Sequence, residues 1–266
     1  MNTAATTART VLSCILLLAV FSTSLFAQDS TGQKKQSPLT VALGADIQTS
    51  FWWRGVVLES RPVIQPGVTL SIGGFQAAFL ATHTIGQSAF KSTLMALGYT
   101  VKTANAGAFS VQVVDYYYPT GPVPYNVPNF NADRAKNWLN YKGDGEGAHT
   151  LEANASYSGT ESFPISLFLA YNFYNDPDRA VYAEASYKVD VTLASLQFFL
   201  GVMLSRNSVF YSAPDSPLMT REGISNIGFT ASRSLKVNDS YSIPFRVTFG
   251  VNPTSERAYV VFGLSL

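Results

Sequence analysis

The chain has 266 residues and a formal net charge of +1; 47% of its residues are hydrophobic and only 13% are charged. Charge this sparse excludes a nucleic-acid-binding face, which needs clustered basic residues, and apolar content this high excludes disorder. The single cysteine, Cys14, lies in a segment expected to be removed, which leaves the mature chain without disulfides, thiol chemistry or a cysteine-based metal site.

Residues 1–27 read as a cleaved signal peptide. Arg9 is the positive start, 11–26 is a short apolar run, and Ala27 offers a small residue at the cut. The run is short for a membrane anchor and is broken by Ser22, Thr23 and Ser24. Residues 28–39 form a polar leader. Beyond it no apolar run is long enough for a membrane helix, so a membrane location for residues 40–266 requires strands.

From there the sequence divides into segments of alternating polarity separated by turn signals. The first predicted strand is 41–53. Val41, Leu43, Ala45, Ile47 and Phe51 lie on one face; Gly44, Asp46, Gln48 and Ser50 lie on the other. The next are 65–72, 75–84, 93–102 and 108–118, with Gly73-Gly74 and 104–107 as tight turns. A polar loop over 119–147 follows. Then come 149–158, 163–174, 180–190 and 192–205, a second polar loop over 206–223, and finally 224–235, 241–252 and 257–266. In the last strand Val260, Phe262, Leu264 and Leu266 share one face and Tyr259, Val261, Gly263 and Ser265 the other.

The connections supply an independent test. Those after the second, fourth, sixth, eighth and tenth strands are short. Those after the first, third, fifth and ninth are longer, and the longest is 119–147. This asymmetry predicts an all-β fold: a transmembrane antiparallel β-barrel of about twelve strands, with the last strand closing against the first. A soluble β-sandwich would carry Lys, Glu and Arg on its second face; here that face holds Ser, Asn, Gly and scattered charges.

Two sets of positions follow from the alternation. Asp46, Gln48, Arg54, Glu152, Asn154, Glu184, Lys188, Asp190 and Arg246 are expected to face the interior and line a pore, where water or opposite charge solvates them. Their mixed signs argue against a filter of one sign. Arg54 stands out beside a glycine just past the first strand, with Asp115 as a candidate partner. Phe51, Trp52, Trp53, Tyr116, Tyr117, Tyr118, Tyr171 and Phe173 fall at the same end of parallel-running strands and are expected to form an aromatic girdle. His83 and His149 are the only histidines; far apart and without a GxSxG motif, they read as rim residues and not as part of a catalytic triad. Asp144-Gly145-Glu146 lacks the spaced oxygen ligands of a calcium loop. No catalytic residue, metal or cofactor is assigned.

Phe51-Trp52-Trp53-Arg54-Gly55 followed by Gln65-Pro66-Gly67-Val68, together with Tyr116-Tyr117-Tyr118-Pro119, resembles the TorF-type family of outer-membrane porins. The resemblance implies an outer-membrane barrel with a pore; the long loop 119–147 and the terminal Leu266 depart from the usual pattern. The resulting expectation is a porin-like channel for passive diffusion of small solutes in a Gram-negative outer membrane. The alternative is a plugged structural or adhesive barrel whose outer loops bind a partner. The expected partners are outer-membrane lipid, small solutes and the barrel-assembly machinery, which would read Val260, Phe262, Leu264 and Leu266 as its signal. Oligomeric state and solute identity stay open.

Overall fold

The computed structural model describes residues 38–86, 90–118, 136–143, 146–205 and 222–266. The expected signal peptide, most of the expected leader and most of loop 119–147, including Asp144-Gly145, lie outside the described residues. Among the described residues fourteen strands follow one another: β1 (Leu39–Gln48), β2 (Phe51–Trp53), β3 (Val56–Glu59), β4 (Val63–Ile72), β5 (Phe75–Thr84), β6 (Lys91–Lys102), β7 (Ala108–Tyr117), β8 (His149–Thr160), β9 (Phe163–Tyr174), β10 (Val181–Asp190), β11 (Ser195–Met203), β12 (Gly223–Lys236), β13 (Ser242–Asn252) and β14 (Arg257–Ser265). Twelve of them close into one antiparallel barrel; β2 and β3 pair only with each other. Among the described residues no helix is long and apolar enough to cross a membrane.

The barrel is inverted relative to a soluble protein. Along β7, Phe109, Val111 and Val113 are exposed, and Val111 is 59% exposed, while Ser110, Gln112 and Val114 between them are buried. The same exposed apolar rows run along β1 (Val41, Leu43), β6 (Leu97, Tyr99), β9 (Leu167, Leu169) and β14 (Val260, Phe262). An apolar outside, a polar inside and two hydrogen-bonded neighbours for every barrel strand satisfy the backbone where water is absent. The fold is therefore that of a transmembrane β-barrel.

Closure joins residues two hundred positions apart. Asp46, Ile47 and Gln48 pair with Ser265, Leu264 and Gly263. Ala45 and Leu266 exchange backbone hydrogen bonds at 3.1 and 2.8 Å, and Thr49 N–H donates to the Phe262 carbonyl at 3.0 Å. Across this seam Arg246 grips Asp46 with both guanidinium arms, at 3.2 and 3.1 Å, and donates to Ser265 Oγ at 2.9 Å. A bidentate fork fixes orientation as well as charge, so it locks the register of the shortest pairing in the barrel wall.

The connections 73–74, 103–107, 161–162, 191–194 and 237–241 all lie at one end, and the four-residue 253–256 lies at the other. The strand ends joined through the longer segments 49–62, 118–148 and 204–222 are at this other end, the long-loop end. Strand bounds shift slightly from the sequence expectation. β11 begins at Ser195 because Val191 and Ala194 close a tight turn by reciprocal backbone hydrogen bonds of 2.9 and 3.3 Å. The first strand needs a larger correction. It ends at Gln48, not at 53, and Phe51–Trp53 leaves the barrel wall to pair with Val56–Glu59.

Candidate functional site in the lumen

The β2–β3 hairpin turns on Arg54-Gly55, with φ of 49° and 90°. Two consecutive left-handed residues make the primed two-residue turn that suits the twist of a hairpin. Gly55 is required twice over. Its φ is one that side chains avoid, and a Cβ there would sit 1.8 Å from the Ser225 carbonyl oxygen. Asn252 Nδ2 holds the Gly55 carbonyl at 2.9 Å.

The hairpin crosses the lumen. Trp53 packs edge-on against Tyr116 of β7 with ring centres 5.6 Å apart. Trp52 lies 5.5 Å from Phe199 of β11 and 5.2 Å from Tyr259 of β14. It comes close to Gly250 of β13, where a Cβ would be 3.3 Å from its ring. At the foot of the hairpin Thr84 Oγ1 donates to Glu59 at 2.9 Å, and Phe51 packs on Phe90 at 5.9 Å. Val56 and Val63 are almost wholly buried within one apolar cluster that also contains Tyr116, Tyr182 and Met203. Burial of this apolar surface is what draws Phe51, Trp53, Val56 and Leu58 inward.

The tip of the hairpin carries the charge. Arg54 Nη1 donates to Glu152 Oε2 at 2.6 Å and Nη2 donates to Oε1 at 3.0 Å. The Glu152 side chain is 0% exposed and that of Arg54 11%. The guanidinium carbon lies 4.5 Å from the Trp53 ring centre, 4.7 Å from Phe168 and 5.3 Å from Tyr182. Three ring faces around a desolvated cation are each attractive through the ring quadrupole. Glu152 also accepts from Tyr116 Oη at 3.3 Å and from Asn154 Nδ2 at 3.2 Å. Next to it, Glu184 accepts from Tyr182 Oη at 2.5 Å and from Asn226 Nδ2 at 2.8 Å.

Of the residues expected to line a pore, Arg54, Glu152, Asn154 and Glu184 thus meet in one network at the long-loop end. Arg54 is paired with Glu152 and not with Asp115, which faces outward. Asp46 and Arg246 form the seam. Gln48 donates to Gln65, which donates to Thr82 Oγ1 at 2.9 Å. Lys188 and Asp190 pair at 3.7 Å on β10, near the short-turn end. Hydroxyl-bearing side chains also face inward there. Thr100 meets Ser110 at 2.7 Å, Thr230 meets Thr248 at 2.8 Å, and Gln197 Nε2 donates to Ser186 at 3.2 Å. Sequence reasoning missed the buried lumenal amides Gln65, Asn172, Asn226 and Asn252. It also missed the hairpin, which Arg54-Gly55 between the short apolar runs 51–53 and 56–58 could have signalled.

The expected girdle changes composition. Phe51, Trp53, Tyr116 and Tyr118 are buried in the lumenal cluster, and Trp52 contacts lumenal rings. For Phe51–Trp53 the physical reason is that the wall ends at Gln48, so alternation past that point no longer reports on lipid; Tyr116 shares the inward face of β7 with Ser110, Gln112 and Val114. Tyr171 and Phe173 do face outward and are exposed. Tyr117 also faces outward, but it is covered. Trp138 packs edge-on against it at 4.8 Å and His149 stacks on it at 4.6 Å.

His149 is the centre of this outer cover. Its Nδ1 lies 2.9 and 3.0 Å from the Asp115 carboxylate oxygens and its Nε2 lies 2.7 Å from the Trp138 carbonyl. Tyr141 stacks on the ring at 3.9 Å and donates to Asp115 at 2.8 Å. With both nitrogens engaged, the ring has none left for base chemistry; the cluster ties segment 136–143 to the outside of the barrel. His83, at the end of β5, is exposed. Burial, reinforced by the hydrogen bond and charge of Asp115, pushes the Tyr141 hydroxyl up to about 12.

No family model matches the chain, and no curated protein matches it. Among solved structures, an outer membrane channel from Pseudomonas putida F1 is similar with a TM-score of 0.42 and 16% identity, over 90% of this chain and 98% of that one. OprD of Pseudomonas aeruginosa gives a TM-score of 0.36 with 11% identity, over 87% of this chain and 66% of that one. A doubly substituted OccD1 (OprD) gives 0.36 and 11% over 93% and 70%. At these scores the matches carry no weight for this chain, and the barrel rests on its own strand pairing.

Proposed function

We propose that this protein is an outer-membrane channel for small solutes, closed at its long-loop end by the 51–59 hairpin and opened when the hairpin withdraws. The observation that carries this reading is the division of the lumen. A self-contained hairpin, paired with no barrel strand, fills one half, and the other is lined by hydroxyl-bearing side chains together with the Lys188–Asp190 pair. Passage is diffusion along a wet lumen, without a covalent step. Exposed apolar rows on every side of the barrel support outer-membrane lipid as its solvent, and the TorF-type motifs support the porin reading. Val260, Phe262, Leu264 and Leu266 belong to the last strand, and we assign them as the stripe read by the barrel-assembly machinery after removal of residues 1–27.

The test is conductance of the purified chain in planar bilayers, with residues 51–59 intact and with them replaced by a short Gly-Ser bridge from 50 to 60. The bridged form should show larger and more frequent open steps. The depth of hairpin burial favours a second reading, a permanently plugged barrel whose outer loops bind a partner. A correctly assembled bridged form with no open steps in any salt would decide for that one.

A further inference from the structure

Arg54 and its surroundings are built like a ligand in a receptor. The receptor half belongs to the barrel wall: Glu152 on β8, Phe168 on β9 and Tyr182 on β10. Tyr116 and Asn154, which donate to Glu152, are also wall residues. The carboxylate therefore stays oriented and hydrogen-bonded whether or not the hairpin is seated. Glu184, held by Tyr182 and Asn226, adds a second carboxylate beside the first. Two acidic groups and two ring faces need a cation, and among the described residues the plug itself supplies one, on a residue with a left-handed φ of 49°.

We propose that this wall pocket is a recognition site for solutes bearing a guanidinium or an ammonium group, and that Arg54 occupies it as a built-in stand-in while the hairpin is seated. A planar guanidinium matches both halves of the pocket, because it gives a fork to the carboxylate and a flat face to the rings. An incoming cation competes with Arg54 for Glu152, and losing that contact unseats the plug. The solute would then be selected by the same contact that opens its path. This rests on the gated-channel reading above.

The experiment uses the full chain and guanidinium chloride at low concentration, with sodium chloride as the matched salt. Arg54→Ala is compared with Arg54→Ala/Glu152→Gln, both checked for assembly by heat-modifiable mobility. Current in planar bilayers and tryptophan fluorescence are both recorded, and each protein is repeated on a Trp53→Phe background to isolate Trp53. In Arg54→Ala, guanidinium should block the current and shift the Trp53 signal, both saturably. Adding Glu152→Gln should raise the concentration needed by about tenfold or more, the loss expected for a charge-assisted hydrogen bond. Equal responses in the two variants, or none beyond the sodium control, would overturn the proposal. Saturable, Glu152-dependent fluorescence without any current sustains the pocket and removes the channel reading; current indifferent to guanidinium does the reverse. Should Arg54→Ala not assemble, Arg54→Gln goes through the same titrations under the same criteria.

Discussion

The two halves of the lumen use the same barrel in opposite ways. At the long-loop end, Tyr116, Phe199 and Tyr259 point inward and meet the rings of the hairpin, Phe168 and Tyr182 meet its Arg54, and Arg54 is paired with Glu152. At the short-turn end, Ser110, Ser166, Ser186, Thr230 and Ser232 occupy equivalent inward positions. A hydroxyl on a strand satisfies itself with its neighbour across the ladder and leaves room for water. A large ring facing a narrow lumen gains only if something packs on it. The difference teaches that a barrel interior is not one environment: small polar residues keep it wet, and large rings require a plug.

The comparison breaks most severely at Glu152. Replacing it with Leu strands Arg54 as a buried cation, at a cost of about 3–5 kcal/mol. The hairpin should leave the lumen, seen as a red shift in tryptophan emission and a rise in conductance toward that of the bridged form. Unchanged emission would mean that apolar packing alone seats the plug. Gly55→Ala attacks the same half through the backbone. Its Cβ would strike the Ser225 carbonyl at 1.8 Å and strain the turn, together about 2–3 kcal/mol. Its conductance should rise by less than that of Glu152→Leu.

Arg246→Met tests the seam, not the plug. It leaves Asp46 without its fork and should cost about 2 kcal/mol. Assembled protein should unfold at lower temperature on a heat-modifiability gel, with unchanged single-channel current. A further variant sharpens the contrast from the wet end. Ser166→Phe/Ser232→Phe narrows the short-turn half, so it should cut the current of the bridged form and leave the wild-type current nearly unaltered, since the hairpin limits flow there. Equal losses in both would place the constriction at the wrong end.

The smallest effect is expected outside the lumen. Tyr141 ionises with difficulty in the folded state, its hydroxyl being raised from 10.0 to about 12. The sign follows: the neutral form is favoured by folding, so its contribution is complete below pH 10 and is lost as pH rises toward 12. Segment 136–143 should then loosen from the barrel wall, followed by Trp138 fluorescence. A transition complete well below pH 10 would point to a different group.

Much of this fold is legible in the residues alone. Alternation along β7 or β14 reports two solvents because a strand's side chains point to opposite sides in strict turn, and the short-long rhythm of the connections follows from antiparallel pairing. Those two local facts determine a twelve-stranded barrel, its inward set Asp46, Glu152, Asn154, Glu184 and Arg246, and the outward stripe of β14. Only the tertiary structure decided what these residues meet. Arg54 and Glu152 are 98 positions apart and Asp46 and Arg246 are 200 apart; nothing local selects one carboxylate over another. The aromatic run at Phe51–Trp53 shows the limit most clearly. An aromatic is as content against lipid as against other rings, so composition could not say whether it faces the membrane or the lumen. The turn at Arg54-Gly55 and the apolar surface waiting inside the barrel made that choice.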